Sequence, residues 1–193
     1  MCSSDLAVTR AIRSLAGNPE AILLTGSFGR GEGGVFFDGR RYVPVNDFDL
    51  LVVGGAATAA ELSTLGTKMA PRLGLDYLDI ALSDGDWSRW GATMANFDLK
   101  FGSRVLWGRP DILASLPEYA AGELPVFEGV QLLLNRIAGL LTGLRASEIA
   151  GGFRNERARR YLVNQYVKAA VALGDSWLLS WRDYTVSYRA RRQ

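Results

Sequence analysis

Short apolar runs separated by glycine and proline divide the first 116 residues into alternating strands and helices. Runs of this kind bounded by turn residues predict buried strands, and apolar residues at three- and four-residue intervals predict helices. The Asp38-Gly39 pair between two apolar runs predicts a hairpin over 35–43. We expect strands over 21–25, 48–53, 75–82 and 104–107, helices over 6–15, 57–73 and 84–95, and a helical turn over 110–116.

The pattern changes near 116–125, where proline and glycine interrupt it. Beyond this linker, the helical spacing of apolar residues predicts one helix over 126–144 and a longer one over 154–181. We therefore expect an α/β unit over residues 7–116, followed by an entirely helical unit over residues 125–193.

The first six residues stand apart from this organisation. Met-Cys-Ser-Ser-Asp-Leu is the translation of a common sequencing-adapter end read from a GTG start codon, so we expect residues 1–6 to be non-native. The sequence has no helix-capping pattern at its carboxyl end, so truncation of the helical unit at that end stays open. Whether the natural chain extends beyond either end is left open.

The composition narrows the chemistry available to the chain. It has no histidine and one cysteine, Cys2, which excludes a histidine-dependent nucleophile, a histidine or thiolate zinc site and a disulfide framework. The remaining oxygen donors suit Mg²⁺ and phosphate rather than zinc. Residues 1–99 hold 8 basic and 12 acidic side chains (net −4), and residues 100–193 hold 14 and 8 (net +6). This asymmetry suits a metal site that faces a polyanion, or it is ordinary surface charge.

The hydropathy of the sequence limits the classes of protein to which the chain could belong. A hydrophobic content of 48% is enough for a packed core, so global disorder is not expected. No charge-free apolar run reaches the roughly 18 residues of a membrane span, and no basic segment followed by an apolar one opens the chain. We therefore expect a cytoplasmic protein with no membrane partner.

A glycine-rich segment follows the first predicted strand and runs from Gly26 to Glu32. Glycine lets a phosphate approach the backbone closely, and the Ser27 hydroxyl and nearby backbone amides are ready donors to phosphate oxygens. Arg30 is placed to reach the same phosphate or to lie on the surface. Glu32 could support the residues that contact the phosphate, but we expect it to lie on the surface of a helix. A glycine-rich turn without a ligand explains the same residues.

Three aspartates accompany the next predicted strands. Asp47 and Asp49 are two residues apart at the start of a strand, so their carboxylates share a face, and like charges this close favour a bound cation. Asp79 lies in an apolar strand, where we expect burial to make a lone ionised carboxylate costly. Three carboxylates on neighbouring strands beside a Gly-Ser turn predict a two-metal phosphoryl-transfer site.

These residues resemble the signature of the nucleotidyltransferase superfamily with the DNA polymerase β-like fold, and in particular its small bacterial members. The resemblance rests on Gly26-Ser27 after a first strand, on Asp47-x-Asp49 on the next strand and on Asp79 on a later one. A segment after Asp79 and the C-terminal helices are also similar. Nineteen residues separate Ser27 from Asp47, more than is usual in small members, and the predicted hairpin accounts for the surplus.

The resemblance implies a fold and an activity. The fold is α+β, a polymerase β-like domain with a mixed sheet flanked by helices and followed by an all-helical C-terminal unit. The activity is the transfer of a nucleoside monophosphate from ATP or another NTP to a hydroxyl acceptor, with release of pyrophosphate (EC 2.7.7 type). Asp47 and Asp49 hold two Mg²⁺ ions, Asp79 completes the second metal site and helps to deprotonate the acceptor, and Gly26 and Ser27 contact the β- and γ-phosphates.

Other partners remain open at this point. We expect Lys168 to reach the triphosphate from the long predicted helix, or to extend its ammonium to solvent. The acceptor is a small molecule or a protein side chain. An alternative implied by the resemblance is an antitoxin-like nucleotidyltransferase that partners a helical toxin. A third interpretation is a nucleic-acid-binding module that uses the basic carboxyl half. The intact carboxylate triad favours catalysis, and the absence of an RNA-binding motif argues against nucleic acid.

Overall fold

The computed structural model describes residues 3–37, 39–40, 42–44, 47–75, 77–144, 152 and 156–192. Within these residues the fold is α+β, with six α-helices, a mixed four-stranded sheet and a separate two-stranded hairpin. The chain divides into two compact units. The first consists of residues 1–91, 95–118 and 186–193, and the second of residues 92–94 and 119–185.

The secondary structure of the amino-terminal part follows the apolar pattern closely. Its helices are α1 (Ser3–Ala16), α2 (Gly26–Gly29), α3 (Ala59–Leu73) and α4 (Met94–Gly102). Its strands are β1 (Ala21–Leu24), β2 (Val35–Phe37), β3 (Tyr42–Pro44), β4 (Phe48–Val53), β5 (Leu78–Ser83) and β6 (Arg104–Gly108). The four strands predicted for the sheet are confirmed within three residues at each end. A short 3₁₀ turn at Ile112–Ser115 lies inside the helical turn predicted over 110–116.

The sheet has the strand order β5-β4-β1-β6. β1 is antiparallel to both of its neighbours, whereas β4 and β5 are parallel. Apart from Asp49, the residues on both faces of β1 and β4 are apolar, and each face packs against its own buried cluster. Ile22 and Val52 belong to the cluster that contains α1 and α3, and Leu23 and Leu51 belong to the cluster on the opposite face.

The helix predicted over 57–73 is confirmed as α3, and capping residues at both of its ends explain why it forms there. Thr58 is its N-cap, and the Thr58 side chain and Glu61 form a reciprocal capping box in which the Thr58 amide donates to Glu61 Oε2 at 2.8 Å. Gly74 ends the helix in a left-handed conformation with φ 73°. Both signals are local, and they are therefore visible in the sequence.

The predicted hairpin is also confirmed. β2 and β3 pair antiparallel, with Phe36 opposite Val43 and Phe37 opposite Tyr42, and Gly39 adopts φ 95° in the turn between them. Asp38 lies outside the described residues. The hairpin forms a sheet of its own, so the surplus residues between Ser27 and the aspartate pair do not interrupt the four-stranded sheet.

The helix predicted over 84–95 is wrong. The chain forms turns there, and α4 (Met94–Gly102) begins only near the end of the predicted range. The Asp84 carboxylate accepts a hydrogen bond from the Asp86 amide at 3.0 Å, and the Asp86 carboxylate accepts one from the Ser88 amide at 3.0 Å. Aspartates that bond to the backbone two residues on stabilise turns in competition with a helix.

The second unit contains two long helices, α5 (Phe127–Gly143) and α6 (Glu156–Ser180), as the pattern predicts. The described residues between 119 and 185 include no strand. α5 packs on α6 through small residues, since a Cβ on Gly129 would lie 3.0 Å from Ser176 and one on Gly139 would lie 2.7 Å from Gln165. Residues 154 and 155 of the predicted helix fall outside the described residues.

The carboxyl end departs from the expectation of continuous helix. Beyond Ser180 the described chain consists of turns and a short 3₁₀ helix at Ala190–Arg192. Residues 186–193 belong to the first compact unit rather than the second. In the part of the chain that the structure describes, no helix combines the length and the apolar character needed to span a membrane.

Candidate active site

The Gly-Ser turn begins at the end of β1 and is tied to β4. Thr25 follows the last residue of β1, and both its amide and its hydroxyl donate to the Asp49 carbonyl, at 2.8 and 3.2 Å. These bonds extend the antiparallel pairing of Leu24 with Leu50 by one residue. The backbone of the turn is therefore fixed beside the strand that carries the aspartate.

Gly26 brings the turn and the Asp49 carboxylate together. Its φ is 60°, in the left-handed region that favours glycine. A Cβ at this position would collide with Asp49 Oδ2, because the carboxylate lies directly against the glycine backbone. Gly26 is thus required twice, once by its conformation and once by this contact.

Asp49 and Asp79 lie side by side. β4 and β5 are parallel, and the register pairs Asp49 with Asp79 directly, so both side chains leave the same face of the sheet. Asp49 is partly buried, and Asp79 is exposed. The expectation that Asp79 is buried is wrong, because β5 is the terminal strand in the sheet order and alternates buried and exposed positions.

Asp47 comes one residue before β4 and is partly buried. Within the described residues, no three side chains among histidine, cysteine, aspartate and glutamate form a group that could hold a metal ion. The donor chemistry nevertheless fits a hard cation, since Asp49 and Asp79 supply carboxylate oxygens at one level of two adjacent strands. Magnesium binding by Asp47, Asp49 and Asp79 therefore stays a prediction.

The rest of the turn is packed tightly against the sheet. A Cβ on Gly29 would lie 2.5 Å from the Leu24 carbonyl oxygen and 2.7 Å from that of Gly102, so only glycine permits this approach. The Ser27 carbonyl accepts a hydrogen bond from the Glu32 amide at 2.8 Å, which closes the segment on itself. Ser27 is partly buried in α2, next to Gly26.

Arg30 lies in a charged cluster of the first unit. Its side chain is 9% exposed, and its guanidinium lies 3.5 Å from Glu32 and 3.8 Å from Asp98. The same guanidinium stacks over the Tyr188 ring, 4.8 Å from the ring centroid. Two carboxylates and an aromatic face thus surround Arg30, and its predicted contact with a phosphate stays a prediction.

The sequence interpretation missed the structural role of Glu32. Its side chain is 8% exposed, so the expectation of a surface position is wrong. The carboxylate accepts hydrogen bonds from the Ser187 hydroxyl at 2.7 Å and from the amides of Tyr188 and Arg189 at 3.1 and 3.2 Å. No sequence signal links residues 155 positions apart, so this contact becomes visible only in the structure.

The pKa of Glu32 reflects two opposing effects. Burial raises it, but the hydrogen bonds from Ser187, Tyr188 and Arg189 together with the charge of Arg30 outweigh burial. The pKa of the Glu32 carboxyl is consequently held below its ordinary value of 4.5. Glu32 is therefore a largely enclosed anion that fastens the carboxyl-terminal segment to the glycine-rich turn.

Lys168 lies in α6 of the second unit and is partly buried. Asp175, seven residues further along the same helix, is buried. No contact in the described structure tests whether Lys168 reaches a triphosphate, so that contact stays a prediction.

Comparisons with known proteins add no assignment: no protein-family model, curated protein or solved structure matches this chain.

Proposed function

We propose that this protein is a magnesium-dependent nucleotidyltransferase with the DNA polymerase β-like fold. It transfers a nucleoside monophosphate from an NTP to a hydroxyl group and releases pyrophosphate. The contact that carries the proposal joins the backbone of Gly26 to the Asp49 carboxylate, with Asp79 paired beside it. A site for phosphate oxygens and a site for a cation are thereby adjacent, as the binding of a metal–triphosphate complex requires.

The strand arrangement supports this proposal. The Gly-Ser turn follows β1, the aspartate pair is at the start of its antiparallel neighbour β4, and the third aspartate is on β5, the parallel neighbour of β4. All three elements of the motif therefore lie on consecutive strands of one mixed sheet. A sheet with a different strand order could carry the same residues on strands that are not adjacent.

We assign Asp47, Asp49 and Asp79 as the residues that would hold Mg²⁺. When bound, Mg²⁺ would stabilise negative charge on the entering and leaving oxygens of the transfer. The amides of Gly26 and Ser27 and the Ser27 hydroxyl donate to the β- and γ-phosphates. Donors held on a turn that is itself bonded to β4 are oriented in advance, which reduces the entropy lost on binding.

The reaction is an in-line substitution at the α-phosphorus. The acceptor oxygen forms a bond to that phosphorus as the bond to the bridging oxygen of pyrophosphate breaks. The acceptor proton passes to the carboxylate of Asp79, which is exposed and therefore accessible to an acceptor. Asp49 is partly buried against Gly26, and we therefore assign it to hold Mg²⁺ beside the phosphates rather than to accept the proton.

The test is nucleotidyl transfer itself. The protein is incubated with each of four α-labelled NTPs, Mg²⁺ and a panel of hydroxyl acceptors, and label transfer and pyrophosphate release are measured. Asp47→Asn and Asp49→Asn are expected to reduce transfer at least about 100-fold, because charge stabilisation in the transition state is lost. Asp86→Asn, which removes an exposed carboxylate of the loop after β5, is the matched control and retains activity. Equal activity in all variants would disprove the assignment.

A further inference from the structure

One side of helix α5 exposes a continuous apolar stripe. Its large apolar residues recur at alternating intervals of three and four, the spacing of a coiled-coil seam. Each is between 43% and 67% exposed. These residues, which we call the α5 stripe, are Phe127, Val130, Leu134, Ile137, Leu141 and, directly after the last residue of the helix, Leu144.

Helix α6 carries a second stripe of the same kind. Its members recur at intervals of three and four and include two tryptophans that are about two-thirds exposed. A small residue, Ala170, occupies the middle of the stripe. The α6 stripe consists of Val163, Tyr166, Ala170, Leu173, Trp177 and, directly after the last residue of the helix, Trp181.

The two stripes flank one groove. An apolar groove of about 310 Å³ between the helices is lined by residues of both stripes, Leu144 from α5 and Val163 and Tyr166 from α6. The stripes therefore lie on the same side of the helix pair, and together they form what we call the bundle face. α5 has only two charged residues, Glu128 and Arg136, and neither of them is exposed.

The bundle face is large enough for a stable interface. Its four aromatic side chains offer roughly two-thirds of about 150–250 Å² each, or about 500 Å² together. The half-exposed aliphatic residues raise the total to about 800 Å², the area that each partner buries in a standard interface. An exposed patch of this size exceeds the roughly 300–600 Å² typical of the largest patch on a monomer.

The two ends of the bundle face differ in shape. Gly129 packs on Ser176, so Phe127 and the two tryptophans lie at one end of the helix pair. Gly143 packs near Tyr161, so the groove lies at the other end. A two-fold axis across the middle would place the bulky end of each copy over the groove of the other, which is the pairing that an isologous dimer requires.

We propose that the bundle face binds a second copy of this chain, and that two α5–α6 pairs form a four-helix bundle. The stripes contain no charged residue, so the proposed pairing buries no charge of either stripe. Leu134 and Ala170 lie near the middle of their helices, where the axis crosses and where the small alanine allows close approach. This proposal does not depend on the proposed enzymatic function.

Sedimentation equilibrium of the full chain tests the proposal. The wild-type protein is expected to sediment at about twice the chain mass of 21.0 kDa. Leu134→Glu places a charge in the middle of the stripe and is expected to raise the dimer dissociation constant at least about 100-fold. Asn135→Glu adds the same charge at the next, exposed position outside the stripe and is expected to leave the dimer intact.

Leu141→Glu is the second variant on the stripe, and circular dichroism establishes that both variants keep their helical content. Both positions are exposed in the single chain, so substitution there leaves the interior of the monomer unchanged. A monomeric wild-type protein would overturn the proposal. A dimer that survives both Leu134→Glu and Leu141→Glu would overturn it as well, since the interface would then lie elsewhere.

Discussion

Gly26 carries two constraints in a single residue. Its left-handed φ of 60° disfavours any side chain, and the Asp49 carboxylate occupies the space that a Cβ would need. The first constraint could be guessed from a glycine-rich turn. The second depends on which strand pairs with β1, and the sequence suggests it only through the resemblance of the whole motif.

Gly26→Ala separates these constraints when it is compared with Gly17→Ala. Gly17 also has a positive φ, of 72°, but a Cβ there meets open space. Gly17→Ala is expected to lower the free energy of unfolding by about 1–2 kcal/mol from backbone strain alone. Gly26→Ala is expected to lose a further ~1–3 kcal/mol, because Asp49 must move. Urea titrations measure both, and equal losses would contradict the contact with Asp49.

Glu32 makes the stability of the protein depend on pH. The folded state holds the pKa of Glu32 below its ordinary 4.5, so the folded protein binds this proton less readily than the unfolded chain. The resulting stabilisation is fully present above pH 4.5 and is lost as the pH falls from there through the lowered pKa.

Glu32→Gln is therefore expected to destabilise the protein by about 1–3 kcal/mol at neutral pH, because hydrogen bonds to a charged group are lost. It should also flatten the dependence of the unfolding free energy on pH below 4.5. Glu118→Gln, at a side chain that is 79% exposed, is the control. Urea titrations across this pH range measure the effect, and parallel pH profiles for wild type and Glu32→Gln would rule out the proposed origin.

Among the elements, those whose signals are local could be predicted from the sequence. β1, β4, α3, α5 and the hairpin follow from apolar runs, caps and turn residues close to them. The segment after β5 could not be assigned correctly, because Asp84 is equally suited to cap a helix and to form the turn that the structure contains. The exposure of Asp79 depends on the place of β5 in the strand order, which the strand's own sequence does not encode.

The cap of α3 gives a test at this scale. Thr58→Ala removes the side chain that accepts from the Glu61 amide, and it is expected to lower the free energy of unfolding by about 1 kcal/mol. Thr64→Ala, inside the same helix, removes only a bond to the Ala60 carbonyl and should be close to neutral. Urea unfolding compares the two variants. A larger loss for Thr64→Ala would contradict the role of the capping box.

Across the whole molecule, contacts between distant parts of the chain set the limit of sequence interpretation. The division into a sheet-containing unit and a helical unit is visible in the pattern of apolar residues. The return of residues 186–193 to the first unit is not, because the Glu32 carboxylate there binds a hydroxyl 155 residues further along the chain. The pairing of Asp49 with Asp79 lies between these two cases. The sequence motif suggests it, but only the strand register of the structure shows it.

Removal of residues 186–193 tests this long-range link. The truncation deletes every group that donates to Glu32 from the carboxyl-terminal segment. Glu32→Gln should then lower the free energy of unfolding much less in the truncated chain than in the full chain, with a coupling energy of about 0.5–3 kcal/mol. A double-mutant cycle of urea unfolding gives this value. Additive effects would mean that Glu32 acts through other partners.

Gly26, Ser27 and the aspartates are proposed to form a site for a magnesium–nucleotide complex. Calorimetric titration of Mg²⁺-NTP tests it most directly, because binding can be measured without knowledge of the acceptor. Wild type and Asp86→Asn should bind with equal affinity, and Asp49→Asn should bind at least about 10-fold more weakly. Absence of binding to the wild type, or equal binding by Asp49→Asn, would contradict the account.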